Sequence, residues 1–359
     1  INGGEYNVAI GNASLDALTS ADFVTAVGYQ AGSAVTTGGY NTLIGHQAGL
    51  AMTSANTNTA IGHTALGSNT VGDRNTAVGS SALSQFNPSS NTDNNNTAIG
   101  YAALSRLTTG VHNIAIGSSA LGADPGVTTE SHNLAIGVNA MGGNVAGGEY
   151  NVAIGNNSLD ALTSADGITA VGYAAGGGLT TGTGNTLFGH QAGLVLTTHE
   201  SNSIFGFNAG IALVESNNVI MGRNAAKAAT SANGNVIIGD AAVEIGVLTG
   251  NDNVVIGKLA GQDMTSAQHS VVIGMDAGKQ LTTAAENTLI GSNAGAALTT
   301  GGSNIFIGRE SGDGHDAETH NLGIGSSALG GPVAGGEYNV AVGNNSLDAL
   351  TSGDENVAV

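Results

Sequence analysis

The sequence predicts an all-β protein, a parallel β-solenoid (β-roll) of about 20 coils with a 17-residue repeat. Three observations carry that reading. First, a unit of the form Asn-x-Ala-Ile-Gly-x-x-Ala recurs along all 359 residues, ending on 20 glycines from Gly11 to Gly343. Most of the intervals are 17 residues; only 79→100 and 117→137, at 21 and 20, depart by more than one. Self-similarity at such a period marks a stacked-repeat architecture. Second, the triplet before each glycine is rich in Val, Ile and Thr and bounded by Asn and Gly, the chemistry of a short strand between turns. No 3.6-residue period appears, and 17 residues cannot hold two helices with their turns. Third, 41% of residues are hydrophobic, yet aromatics make up only 4% and Gly reaches 59. That composition suits a thin, regular core.

Each element follows from a column of the repeat, indexed from its glycine. Four residues before it stands Asn in 17 of 20 copies; Val24, Ile168 and Ser270 are the exceptions. A stack of Asn predicts an amide ladder along the axis or a corner cap. Gly and Asn tolerate the left-handed backbone that tight corners demand. The residue before the glycine is always Ile, Val, Phe or Met, and the residue three after it is always Ala or Ser. Seven after it is large and apolar in 13 copies, usually followed by Thr or Ser. The resulting Leu-Thr-Thr segment is expected to be a second strand. Parallel stacking at roughly 4.8 Å per coil gives a rod of roughly 90 Å.

Side chains alternate across a strand. The residues one and three before the glycine share one face, as Val8 and Ile10 do, and Ala9 takes the other. That middle position is Ala, Leu, Ile, Val or Phe in 19 of 20 copies, with Gly323 the exception. A sheet apolar on both faces is covered on both. One cover is the coil's own interior, and the chain holds nothing to supply the other. An apolar stripe of that length far exceeds what a soluble monomer exposes. A homotrimer with parallel, in-register chains is the simplest closed answer. The middle column is Ala in nine of the eleven coils up to Gly189, then Ile204, Ile220, Ile237, Val255, Val272, Leu289 and Phe306. The column is expected to face the three-fold axis, so that the strands lie farther from it between about Ile204 and Phe306 and are pinched again near Gly323. If it faces the coil interior, the larger residues refill the core.

Composition excludes several classes. Seven Lys and Arg against 26 Asp and Glu, a net charge of −19, do not suit a nucleic-acid partner. Without cysteine there is no disulfide framework and no thiol nucleophile. No apolar stretch approaches the length that spans a membrane as a helix, and the first residues do not read as a signal peptide.

At this point the residues resemble a known group. Asn-Thr-Ala-Ile-Gly-His-Thr-Ala (58–65), Asn-Thr-Ala-Ile-Gly-Tyr-Ala-Ala (96–103) and Asn-Val-Ala-Ile-Gly-Asn-Asn-Ser (151–158) are similar to the head repeats of trimeric autotransporter adhesins. They are equally similar to repeats in phage tail fibres and in related bacterial fibres that end in a chaperone domain. The resemblance runs along essentially the whole chain. It implies a left-handed β-roll, three chains deep, in an extracellular fibre. The usual repeat of the adhesin heads is shorter than the one here.

A longer repeat overlies the short one. Gly-Gly-Glu-Tyr-Asn-Val-Ala-Ile-Gly begins at Gly3 and Gly147, and begins again at Gly335 with Val342 in place of Ile. Residues 1–359 therefore read as one continuous array in blocks 3–146, 147–334 and 335–359. Both ends fall mid-coil, which predicts a segment of a longer array. The segments 84–95 and 123–132, with Pro88 and Pro125, are expected to bulge outward.

Catalytic spacings such as Gly-x-Ser-x-Gly and His-Glu-x-x-His are missing, and no cofactor motif appears. Glu5, Glu149 and Glu337 are block copies of one another, an implausible arrangement for a catalytic acid. The expectation is a non-enzyme without cofactor. His315, Asp316, Glu318 and His320 make the best metal candidate, but read more simply as a polar corner. All tyrosines and most histidines fall in two columns flanking the strand. The column before the Asn holds Tyr6, Tyr40, His112 and Tyr150; the one after the glycine holds Tyr29, His46, His63, Tyr101, Tyr173 and His190. They suggest a surface-contact strip for a cell-surface glycan or host receptor, or rings stacking between coils. The overall reading is an extracellular fibre segment, a rigid trimeric shaft or head for surface attachment. A phage tail-fibre receptor-binding module and a purely structural matrix filament are the alternatives. An ice-binding face ranks lower, because Val and Ile interrupt the Thr column.

Overall fold

The computed structural model describes residues 3–90, 92–122, 129–332 and 335–359. The chain forms two compact units, Ile1–Thr183 and Gly184–Val359, and each is a parallel β-solenoid. In the first unit the strands run from Val8–Ile10 to Thr169–Val171, one per coil. Each pairs in parallel with the next, in a register that preserves the sequence columns: Val8 opposite Thr25, Ala9 opposite Ala26, Ile10 opposite Val27. The second unit repeats this from Thr186–Phe188 to Val357–Ala358, as in Val219 opposite Val236 and Ile220 opposite Ile237.

The strand glycine is required by stacking. Gly45 has φ 137°, and a Cβ there would sit 2.5 Å from the carbonyl oxygen of Gly62 in the next coil. No side chain fits between two backbones that close. The Asn column then holds the corner beside it. Asn41 Oδ1 accepts the Asn58 N–H (2.9 Å), and Asn41 Nδ2 donates to the Ala55 carbonyl (2.7 Å). The pattern repeats at Asn58, Asn75 and Asn96, and in the second unit at Asn202, Asn218 and Asn235. It is both the expected amide ladder and the expected corner cap. These buried backbone donors would otherwise be unpaired. Where the column lapses, the ladder adapts: Ser270 Oγ accepts the Asn287 N–H at 3.2 Å.

The middle residue of each strand points into its own coil. Ala26, Leu43, Ala60, Ile204, Ile237 and Phe306 are all fully or almost fully buried within the single chain. This corrects the axial assignment: the column faces the coil interior, and its larger residues refill that core. The refill is balanced within the coil. Four residues after the glycine, Leu or Met stands in nine of the eleven coils whose middle residue is Ala or Gly. Gly stands there in seven of the nine coils whose middle residue is Leu, Ile, Val or Phe. The two positions share one space. A Cβ on Gly295 would meet Leu289 Cδ2 at 2.9 Å, and one on Gly210 would meet Ile204 Cδ1 at 3.2 Å. Close-packed interiors conserve volume in this way.

The Leu-Thr-Thr segment is not a strand; among the described residues the named strands are the segments before the glycines. The Thr36 carbonyl accepts the N–H groups of both Thr19 and Ser20 (3.1 Å each) and the Thr19 hydroxyl (2.8 Å). Successive N–H groups converging on one oxygen make a bend, since a pleated strand points them in opposite directions. In the 84–95 segment Phe86, Pro88 and Asn94 are buried, whereas Gln85, Asn87, Ser89, Ser90, Thr92, Asp93 and Asn95 are exposed. An Arg74–Asp93 ion pair at 2.6 Å ties it back to the preceding coil. Pro125 lies outside the described residues.

Candidate functional site

The face left to solvent is the strand's other side. It carries the residues one and three before each glycine. In the first unit Thr25, Thr42, Thr59, Thr76 and Thr97 stack in register beside Val27, Ile44, Ile61, Val78 and Ile99. Ile44 and Ile61 remain 37% and 36% exposed, far more than the near-zero exposure of core residues. The second unit exposes Phe188, Met221, Ile305 and Ile324 on the same side of its strands. The outer side of each coil thus carries a continuous, partly exposed apolar column.

Two corner columns border this face, and the structure places the sequence-predicted aromatic residues there. The corner before the Asn takes left-handed backbone at Tyr6, Phe23, Tyr40, His112, His132 and Tyr150, with φ between 57° and 62°. Coil spacing then sets ring on ring. Tyr6, Phe23 and Tyr40 form one stack with centroids 5.0 Å apart, and His112, His132 and Tyr150 form another at 5.0 and 4.9 Å. On the other border Tyr29, His46 and His63 stack at 5.1 Å. In the second unit His190 stacks on Phe207 and His320 on Tyr338. Phe23 and Phe207 belong to these rows, although a search for Tyr and His alone passes over them. Tyr101 and Tyr173 are exposed in the same column as Tyr29. Rings stacked in this way cover one another's faces and present their edges and polar atoms outward.

Beyond Phe207 the second unit carries charge on the border after the glycine, at Arg223, Asp240, Lys258 and Arg309. Arg223 pairs with Asp240 at 2.9 Å, and Arg309 with Glu310 at 2.6 Å. Such exposed pairs contribute little stability. In the first unit burial pushes the carboxyls of Asp73 and Asp160 above their ordinary range.

The four residues of the metal candidate are dispersed. His315 is buried inside its coil, in the column that holds Leu in nine of the 20 copies. Glu318 turns its oxygens to the backbone N–H groups of Asp316 (2.8 Å), Ala317 (3.1 Å) and Gly335 (3.0 Å). Burial pushes its carboxyl up, but these hydrogen bonds and His315 together hold it below the ordinary value. Asp316 and His320 are exposed at corners. Among the described residues no group of three or more His, Cys, Asp or Glu is placed to hold a metal ion. Among them, too, no helix is long and apolar enough to cross a membrane.

No protein-family model matches the chain, and no curated protein matches it either.

Proposed function

We propose that the chain is a segment of an extracellular homotrimeric fibre, in which the outward strand faces of three parallel chains meet along a common axis. The supporting observation is the outer column of Ile, Val, Phe and Met, unbroken through all 20 repeats and incompletely buried in a single chain. Covering the remainder of one such side chain contributes about 1 kcal/mol per coil. The coils of the first unit alone then supply about 10 kcal/mol per chain, comparable with the cost of association. Uniform columns favour parallel, in-register packing, because each coil then meets an identical coil. Closed symmetry keeps the surface from propagating into open aggregates. The role is mechanical: a stiff shaft or head whose corner rows, at the rim of the interface, contact a cell-surface glycan or host receptor through ring edges and hydroxyls. The likeness of the repeats to adhesin heads and tail fibres supports the same reading.

The chain has no cysteine, so a single introduced thiol reports cleanly. Ile61→Cys on the outer column should give an inter-chain disulfide on mild oxidation of the dilute protein. Ser90→Cys, in the exposed 84–95 segment, should not. Equal cross-linking of the two variants would contradict the proposed interface.

A further inference from the structure

We propose that the coil around His315 is a proton-triggered opening in the second unit, which loosens on mild acidification while coils elsewhere stay closed. His315 is completely buried, and neither ring nitrogen has a hydrogen-bond partner. Its ring leans on Phe306, centroids 4.8 Å apart at an interplanar angle of 59°. Among the described residues, the other buried polar one of this column shows what a satisfied one looks like: Asn69 donates to the Gly72 carbonyl (2.9 Å) and accepts the Gly72 N–H (2.8 Å). A neutral imidazole is tolerated in such a place. An imidazolium adds a charge and a second donor with no acceptor, which the coil can accommodate only by opening to water.

The charged groups around the ring offer little relief. On its own coil Arg309 and Glu310 pair with each other, and Asp313 and Asp316 lie at the corners. The preceding coil, 291–307, has no ionisable side chain. The following coil brings Glu337, bonded to the Thr319 hydroxyl, and the exposed Tyr338. Glu318 is the one group whose charge favours protonation of the ring. Its oxygens already hold the backbone of Asp316, Ala317 and Gly335. Turning toward an imidazolium releases the Gly335 N–H and with it the corner to the next coil. Protonation therefore loosens the contact between coils as well as the core. In a solenoid such opening stays local, because each coil packs only on its neighbours.

Burial pushes the His315 imidazole down to about 4, against an ordinary 6.5, with Glu318 partly opposing. The unfolded coil therefore takes up the proton first, and stability is lost as the pH falls from about 6.5 toward 4. At pH 5 this amounts to an increase of about 20-fold in the opening equilibrium relative to pH 7. Amide exchange of the intact protein, corrected for intrinsic rates, tests it at pH 7 and pH 5. Peptides spanning 306–318 should lose protection by tens-fold in the parent chain and in His320→Leu. His315→Leu, which restores the residue usual in this column, should stay protected at both. The same acid response in His315→Leu, or none in the parent chain, overturns the proposal. If His315→Leu is unprotected already at pH 7, the histidine is a packing requirement and the proposal also fails.

Discussion

Replacing Leu289 by Ala, Gly295 by Leu, and both together should reveal the shared volume inside a coil. Leu289 is fully buried, and its truncation should cost about 3 kcal/mol, as large-to-small core changes do. Gly295 has φ 56°, and a Cβ there would meet Leu289 Cδ2 at 2.9 Å and Cδ1 at 3.2 Å. A leucine at that site therefore overpacks the coil and takes left-handed backbone, together about 3 kcal/mol. The double variant places the new side chain in the space the old one left. It recreates the pairing of Ala60 with Leu66, where Leu66 is buried at φ 49°. Only the backbone cost should then remain, about 1–2 kcal/mol. The coupling is about 4 kcal/mol, well above the scatter of such cycles. Urea unfolding followed by circular dichroism, at one fixed chain concentration, measures it. A double variant no more stable than the sum of the two losses would falsify the shared-volume account.

Three further outcomes follow from the ladders and corners. Gly62→Ala introduces a Cβ against the Gly79 backbone at φ 139°; a loss of several kcal/mol is expected in thermal melting, and an unchanged melting temperature would show that the coils can part without cost. Asn218→Ala strands the buried Asn235 N–H, which Asn218 Oδ1 accepts at 3.0 Å, and should cost about 2 kcal/mol in urea unfolding. Asn218→Ser should lose clearly less, since Ser270 fills the same role toward Asn287; equal losses would mean that the acceptor is unimportant. Glu318 has its carboxyl held below the ordinary value, so its contribution is present at neutral pH and disappears as the pH falls below about 4.5 through that lowered value. Glu318→Gln should melt lower than the parent at pH 7 and differ less at pH 3; a constant difference across that range would count against the carboxylate's role.

Much of the coil was legible because its constraints act on single columns. The strand glycine, the Asn ladder and the strand triplet each repeat a residue type for a local reason, and each lies where the period puts it. The direction of the middle residue was not legible from alternation, which separates two faces without saying which is inside. The deciding signal lay in a pair of columns: Leu66 accompanies Ala60, whereas Gly295 accompanies Leu289, and neither column shows this alone. The Leu-Thr-Thr bend was mistaken for a strand because Thr suits both, and only the convergence of Thr19 and Ser20 on the Thr36 carbonyl distinguishes them. The aromatic borders were found by composition, but their stacking depends on left-handed corners at residues such as Tyr6 and Tyr40, a conformation that aromatic residues seldom adopt and that sequence does not advertise.

The mass of the assembled protein bears most directly on the claim that outward strand faces meet on a three-fold axis. Sedimentation equilibrium at micromolar concentration, pH 7, should give three times the chain mass of 34.9 kDa. A charge on the outer column, as in Ile238→Lys, should reduce that mass while leaving the circular dichroism of the coils in place. A parent protein that sediments at 34.9 kDa, or as a dimer, would contradict it.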